Sequence, residues 1–196
     1  MSNYLETAYN AFKIESESIL KTAEVLDKNE LQKAIEVLAK AERIASSGCG
    51  HSGIACRHFA HLMCCIERPA RFLSPAEAVH GGLGYLQKGD VILLVSRGGK
   101  TDELIPIGKI CKDKGVTVIT VTENSASPLA ELADIVLLMH ITRECDKYNC
   151  QGTTSSTALA VIFHVLQTAL IEETDFQNEQ FALVHPGGAV GERLNK

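Results

Sequence analysis

Val91-Ile92-Leu93-Leu94-Val95-Ser96-Arg97-Gly98-Gly99-Lys100-Thr101-Asp102-Glu103 is the stretch that decides the fold. Five apolar residues without alternation describe a strand buried on both faces, the mark of a parallel sheet. The run empties into a turn of glycine and hydroxyl residues, and a helix starts at once with Leu104 and Ile105. Such a turn aims several backbone N–H groups and the positive end of a helix at one point, which suits an anion.

Outward from this stretch the same alternation repeats. A strand at about 43–47 leads into Gly48-Cys49-Gly50-His51-Ser52-Gly53 and a helix through Cys65. A short strand at about 71–73 leads to the turn from Ser74 to Gly82. Val116 to Val121 precedes Thr122-Glu123-Asn124-Ser125 and a short helix from Pro128, Ile135 to Met139 forms a last strand, and a long helix covers about 155–172. Strands alternating with helices predict an α/β fold, doubly wound, with a parallel sheet between two helical layers. Ligands of such sheets sit beyond the carboxyl ends of the strands, where all these turns fall. The first forty residues are helical: Leu5, Ala8, Phe12, Ile19 and Ala23 recur at helical spacing, as do Leu31, Ile35 and Leu38. They read as an N-terminal helical arm, residues 1–40, for packing or oligomerisation, ahead of a single domain at 41–196.

Bulk composition narrows the class. A chain of 196 residues with 45% hydrophobic content can bury one substantial core. A net charge of −5 argues against nucleic acid as partner, since phosphate backbones call for a basic face. The seven cysteines, an odd number with no CxxC, read as reduced thiols. The polar start from Met1 to Asn10 is no signal peptide, and no apolar run of bilayer-spanning length is expected. These features predict a soluble cytoplasmic protein without membrane or nucleic-acid partners.

Three segments are candidates for one phosphate. Gly50, His51, Ser52 and Gly53 form the first, and Ser96, Arg97, Gly98, Gly99 and Thr101 the second. The third is the hydroxyl cluster Thr153, Thr154, Ser155, Ser156 and Thr157 at the head of the long helix, where N-capping needs only one hydroxyl. A dinucleotide site would need an acidic residue about 20 positions after the first loop, and none stands out. His58 and His61 share a helix face without a clear third ligand, and Cys145 and Cys150 lack zinc spacing, so no metal and no cofactor are expected.

Gly48-Cys-Gly-His-Ser-Gly53, Ala78-Val-His-Gly-Gly-Leu-Gly84, Ser96-Arg-Gly-Gly-Lys-Thr-Asp-Glu-Leu104 and Phe181-Ala-Leu-Val-His-Pro-Gly-Gly-Ala-Val-Gly191 occur in that order. Together, over about Arg43 to Leu194, they resemble the sugar isomerase (SIS) domain, in its arabinose 5-phosphate isomerase branch. The resemblance implies a five-stranded parallel sheet, a homo-oligomer (commonly a tetramer), and a small sugar phosphate as substrate, isomerised between ribulose 5-phosphate and arabinose 5-phosphate. It implies four catalytic positions: His80, Glu103, Glu144 and His185, the last reaching a neighbouring subunit's site. Glu144 or His185 would carry the proton, with Glu103 and His80 orienting hydroxyls or the ring. Simpler readings stand beside these: Glu103 as a favourable charge at a helix start, His80 and His185 as turn residues, Glu144 as a loop charge. Two departures from the family pattern stand out. His51 takes the place of a lysine, and Ser96-Arg97-Gly98-Gly99-Lys100 replaces the usual Ser-Asn-Ser-Gly-Glu, losing one hydroxyl and gaining two cations. The expectation is a protein without the tandem CBS domains of many relatives. Isomerisation of another sugar phosphate, such as a hexulose phosphate, and a non-catalytic phosphosugar sensor remain as alternatives.

Overall fold

The computed structural model describes residues 3–195. Its centre is the apolar run itself: β3, Val91–Val95, is buried at every position. β1 (Ile44–Gly48) lies on one side of it and β4 (Thr117–Thr122) on the other, with β2 (Ala70–Phe72) and β5 (Ile135–Leu138) outermost. All pairings are parallel and the order is β2-β1-β3-β4-β5. The expected five-stranded, doubly wound sandwich is what the chain forms.

Alternate side chains of the sheet feed two cores. Val91, Leu93 and Val95 pack with Phe59 and Met63 of α3 (Gly50–Cys65), Phe163 and Leu166 of α7 (Thr154–Glu173), and Ala34 and Leu38 of α2 (Lys28–Lys40). Ile92 and Leu94 pack on the other face. There they meet α4 (Pro75–Ala78), a 3-10 turn at Gly82–Tyr85, α5 (Ile105–Asp113) and α6 (Pro128–Leu132). α2 thus contributes to the main core. α7 is long and apolar enough to match a membrane span by length and composition, which amends the expectation that no run reaches that size. Its buried residues, among them Ala158, Ile162, Phe163 and Leu170, lie in the core shared with α3 and the sheet.

α1 (Asn3–Val25) closes the open edge beyond β5 with side chains instead of a strand. The buried Thr22 hydroxyl donates to the His140 carbonyl (2.7 Å) and accepts from the His140 N–H (3.1 Å). Ser18 Oγ accepts from the Thr142 N–H, and Glu30 of α2 accepts from the Val136 N–H. Backbone groups that would otherwise be orphaned are paired in this way. The outward face of α1 carries Tyr4, Tyr9, Phe12 and Leu20, all largely exposed. Two short helices, α8 (Asn178–Val184) and α9 (Gly188–Leu194), end the described chain.

Candidate functional site

The strand order reverses between β1 and β3, so the crevice at their carboxyl ends is where a ligand of such a sheet sits. Three loops converge there. The first turns sharply at Gly50 (φ +54°), and a Cβ at Gly53 would lie 2.6 Å from the Gly48 carbonyl oxygen. α3 therefore starts in contact with the end of β1, and its N-cap residue, Cys49, supplies no side-chain cap. His51 packs its ring against Gly152, with Nδ1 3.1 Å from the Gly152 carbonyl, and so ties this loop to the one before α7.

The second loop closes on itself. Ser96 Oγ and Thr101 Oγ1 are 2.8 Å apart, and the Gly99 N–H donates to Ser96 Oγ. Gly99 adopts φ +65° against buried Ser127, leaving no room for a side chain. Among the described residues the amides of Gly98, Lys100 and Thr101 have no hydrogen-bond acceptor within the chain, which leaves them open to a ligand. Arg97 is engaged within the chain. Its Nε donates to Glu123 Oε2 (2.6 Å) and its Nη1 to Glu144 Oε1 (3.0 Å).

The third loop is organised around Glu144, whose side chain is only 2% exposed. Oε2 accepts from the Thr153 hydroxyl (3.2 Å) and from the Ser155 N–H (3.1 Å) at the first turn of α7. A carboxylate at that position matches the positive end of a twenty-residue helix. The hydroxyl cluster is largely spent internally. Thr153 also accepts from the Cys145 N–H, Thr154 meets the Cys145 thiol, Ser156 donates to the Gly152 carbonyl, and Thr157 donates to Glu15 of α1. Ser155 Oγ, like Ser52 Oγ, has no partner among the described residues.

Residues 37–169 match the model of the SIS domain. The chain belongs to the SIS-domain family. It is 30% identical over 198 residues to the arabinose 5-phosphate isomerase KdsD of Francisella tularensis, covering 99% of this chain and 60% of that protein. It is 37% identical over 163 residues to KdsD of Pseudomonas aeruginosa, covering 83% of this chain and 50% of that protein. The chain thus spans about half to three-fifths of these relatives' length. Among solved structures, a candidate sugar-phosphate isomerase from Listeria monocytogenes superposes with a TM-score of 0.91 at 38% identity, covering 95% of this chain and all of that one. An Escherichia coli CFT073 protein in complex with arabinose 5-phosphate superposes with a TM-score of 0.82 at 29% identity, covering 95% of this chain and all of that one.

Within this SIS domain a cleft of about 420 Å³ opens beside the first loop, walled by Gly48 to Gly50, Arg57, Phe72, Ser74 and Glu103. Glu103 is exposed in it, and burial followed by the Glu103 charge pushes the Cys49 thiol up from its ordinary value. His80 is exposed in the turn after α4, where its backbone N–H bonds the Glu77 carbonyl. His185 is elsewhere. Its ring lies 5.0 Å from that of Phe181, and Phe181 borders a cavity with Cys65, Ile66 and Ile171 at the far ends of α3 and α7. The sixteen residues of α3 span roughly 24 Å at 1.5 Å per residue, so His185 sits at the opposite edge of the sheet from the three loops of its own chain. Its Nδ1 is buried without a hydrogen-bond partner among the described residues.

The SIS fold therefore brings together the three loops, Glu103 and Glu144, and leaves His185 apart. Sequence reasoning passed over Glu123 and Arg57. Glu123 follows β4 at the carboxyl edge, which was the available signal; Arg57 carried none, being one helix turn past the loop it serves.

Proposed function

We propose that the chain is a phosphosugar aldose–ketose isomerase that interconverts D-ribulose 5-phosphate and D-arabinose 5-phosphate. The observation that carries this reading is the convergence of an amide-lined anion loop, Ser96 to Thr101, with the carboxylates of Glu103 and Glu144 at one sheet edge. Relatives named arabinose 5-phosphate isomerase, and a structural neighbour holding arabinose 5-phosphate, support it. The phosphate rests on the open amides of the second loop, with Ser52 and Ser155 as hydroxyl donors.

Isomerisation removes the proton from C1 of the ketose, forms an enediolate, and returns a proton to C2, while the oxygen at C2 gains a proton and that at C1 loses one. Glu144 and a second copy's His185 carry these protons, since an imidazole passes protons either way near neutral pH. Glu103 and His80 orient hydroxyls and the ring. The distance of His185 from its own site and the exposed aromatic face of α1 favour a homo-oligomer, in our reading a tetramer in the cytoplasm. Turnover of arabinose 5-phosphate by the purified protein, beside His185→Ala, tests the reading. Activity lost in the variant supports it. Full activity in the variant removes His185 from the mechanism, and binding without turnover by the wild type points to a sensor.

A further inference from the structure

We propose that Arg97 is a positioning residue for Glu144 and not a ligand of the phosphate. The inference rests on the isomerase reading above and assigns a task to the cation that this chain carries where family members have asparagine. Arg97 is fixed at both ends. Its carbonyl accepts from the Thr122 hydroxyl and from the Glu123 N–H, each at 2.9 Å. Its guanidinium spans Glu123 and Glu144, and Glu123 is itself pinned by accepting from the Ile141 N–H (2.8 Å). The result is a brace across the ends of β3 and β4 and the loop before α7.

An ionised carboxylate has about four acceptor directions. Glu144 uses three, one on Oε1 for Arg97 and two on Oε2 for Thr153 and Ser155. The remaining direction belongs to Oε1, the atom Arg97 holds. With the side chain almost wholly buried, Arg97 decides where the unused lone pair of Glu144 points. A guanidinium committed to two carboxylates also has little charge left for a phosphate. Of the two cations gained in this loop, Arg97 is partly exposed but tied to two carboxylates, whereas Lys100 is exposed and has no ion pair among the described residues.

The test compares Arg97→Gln, Arg97→Lys and Lys100→Gln by steady-state kinetics and by calorimetric binding of arabinose 5-phosphate. Arg97→Gln is expected to lower kcat at least tenfold and to shift the pH profile of kcat, while Kd changes by less than threefold. Arg97→Lys, which keeps one of the two contacts, recovers part of kcat. Lys100→Gln does the opposite and weakens binding. A tenfold rise in Kd for Arg97→Gln would make Arg97 a phosphate ligand and overturn the proposal, as would an unchanged kcat. If the wild type binds the sugar phosphate without turning it over, the isomerase reading fails and Arg97 is judged separately. Unchanged Kd in Arg97→Gln together with non-additive urea unfolding of Arg97→Gln and Glu144→Gln then upholds the brace, and additive unfolding rejects it.

Discussion

Replacing Gly99 by alanine puts the packing of the anion loop to a quantitative test. The backbone there has φ +65°, a conformation that costs an L-residue about 1–2 kcal/mol. The new Cβ would fall 2.0 Å from Ser127 Oγ and 2.4 Å from Ser127 Cβ, so one of the two segments must move. Ser127 is fully buried, and its hydroxyl accepts from the Ala130 N–H at the start of α6. Displacement therefore adds overpacking of about 1–3 kcal/mol. The sum, about 2–5 kcal/mol, is a large part of the 5–15 kcal/mol that a domain typically has, so the variant folds with a much lower urea midpoint. A second substitution isolates the cause. Ser127→Gly costs the cap only a few tenths of a kcal/mol and removes both clashing atoms. Gly99→Ala/Ser127→Gly should therefore be more stable than Gly99→Ala alone, by about 1–3 kcal/mol, with the backbone cost remaining. Urea unfolding of the four proteins reads the cycle. If Gly99→Ala loses less than about 1 kcal/mol, or if the second change deepens the loss, the account of this loop is wrong.

Two further outcomes follow from other parts of the molecule. Thr22→Val keeps the volume but orphans both backbone groups of His140, and should cost about 2–4 kcal/mol in urea unfolding, whereas Thr22→Ser stays near wild type. His58 is held below its ordinary value by burial, then by neighbouring His164, whose ring meets it edge to face at 5.6 Å, and by His61. Between the folded value and 6.5 the unfolded chain binds more protons, so this contribution is complete above 6.5 and is lost as pH falls through the folded value. The urea midpoint of His58→Gln should change less between pH 7.5 and 5 than that of the wild type; equal slopes would assign the acid sensitivity elsewhere.

The sheet was legible wherever a strand is an unbroken apolar run. β3 matches its expected limits residue for residue, while β1 and β4 each lie one residue later. β1 is the least obvious because Ser46 and Ser47 interrupt it. Both are buried, with their hydroxyls donating to the carbonyls of Cys56 and Leu73, and such pairing across ten and twenty-six residues has no local signal. The three loops were legible for the same reason, since glycine and hydroxyl residues mark turns locally. The direction of Arg97 was not, because its partners lie 26 and 47 residues away. The same limit hid the use of the α7 hydroxyls: the sequence displays five of them together, yet only the fold reveals that Glu144, Cys145, Gly152 and Glu15 claim four. Likewise the apolar character of α7 says buried without saying by what, and the helices of the tail depend on a tight return in which Gly191 faces the backbone of His185 and Pro186.

The way α1 closes the sheet also bears on the order in which the protein is made. Ser18 and Thr22 leave the ribosome 124 and 118 residues ahead of Thr142 and His140, the backbone groups they serve. Until the chain beyond β5 has emerged, the first helix has nothing to dock on, and Ser18 and Thr22 lack the backbone groups they pair with. A domain with so distant a closure is completed late in synthesis.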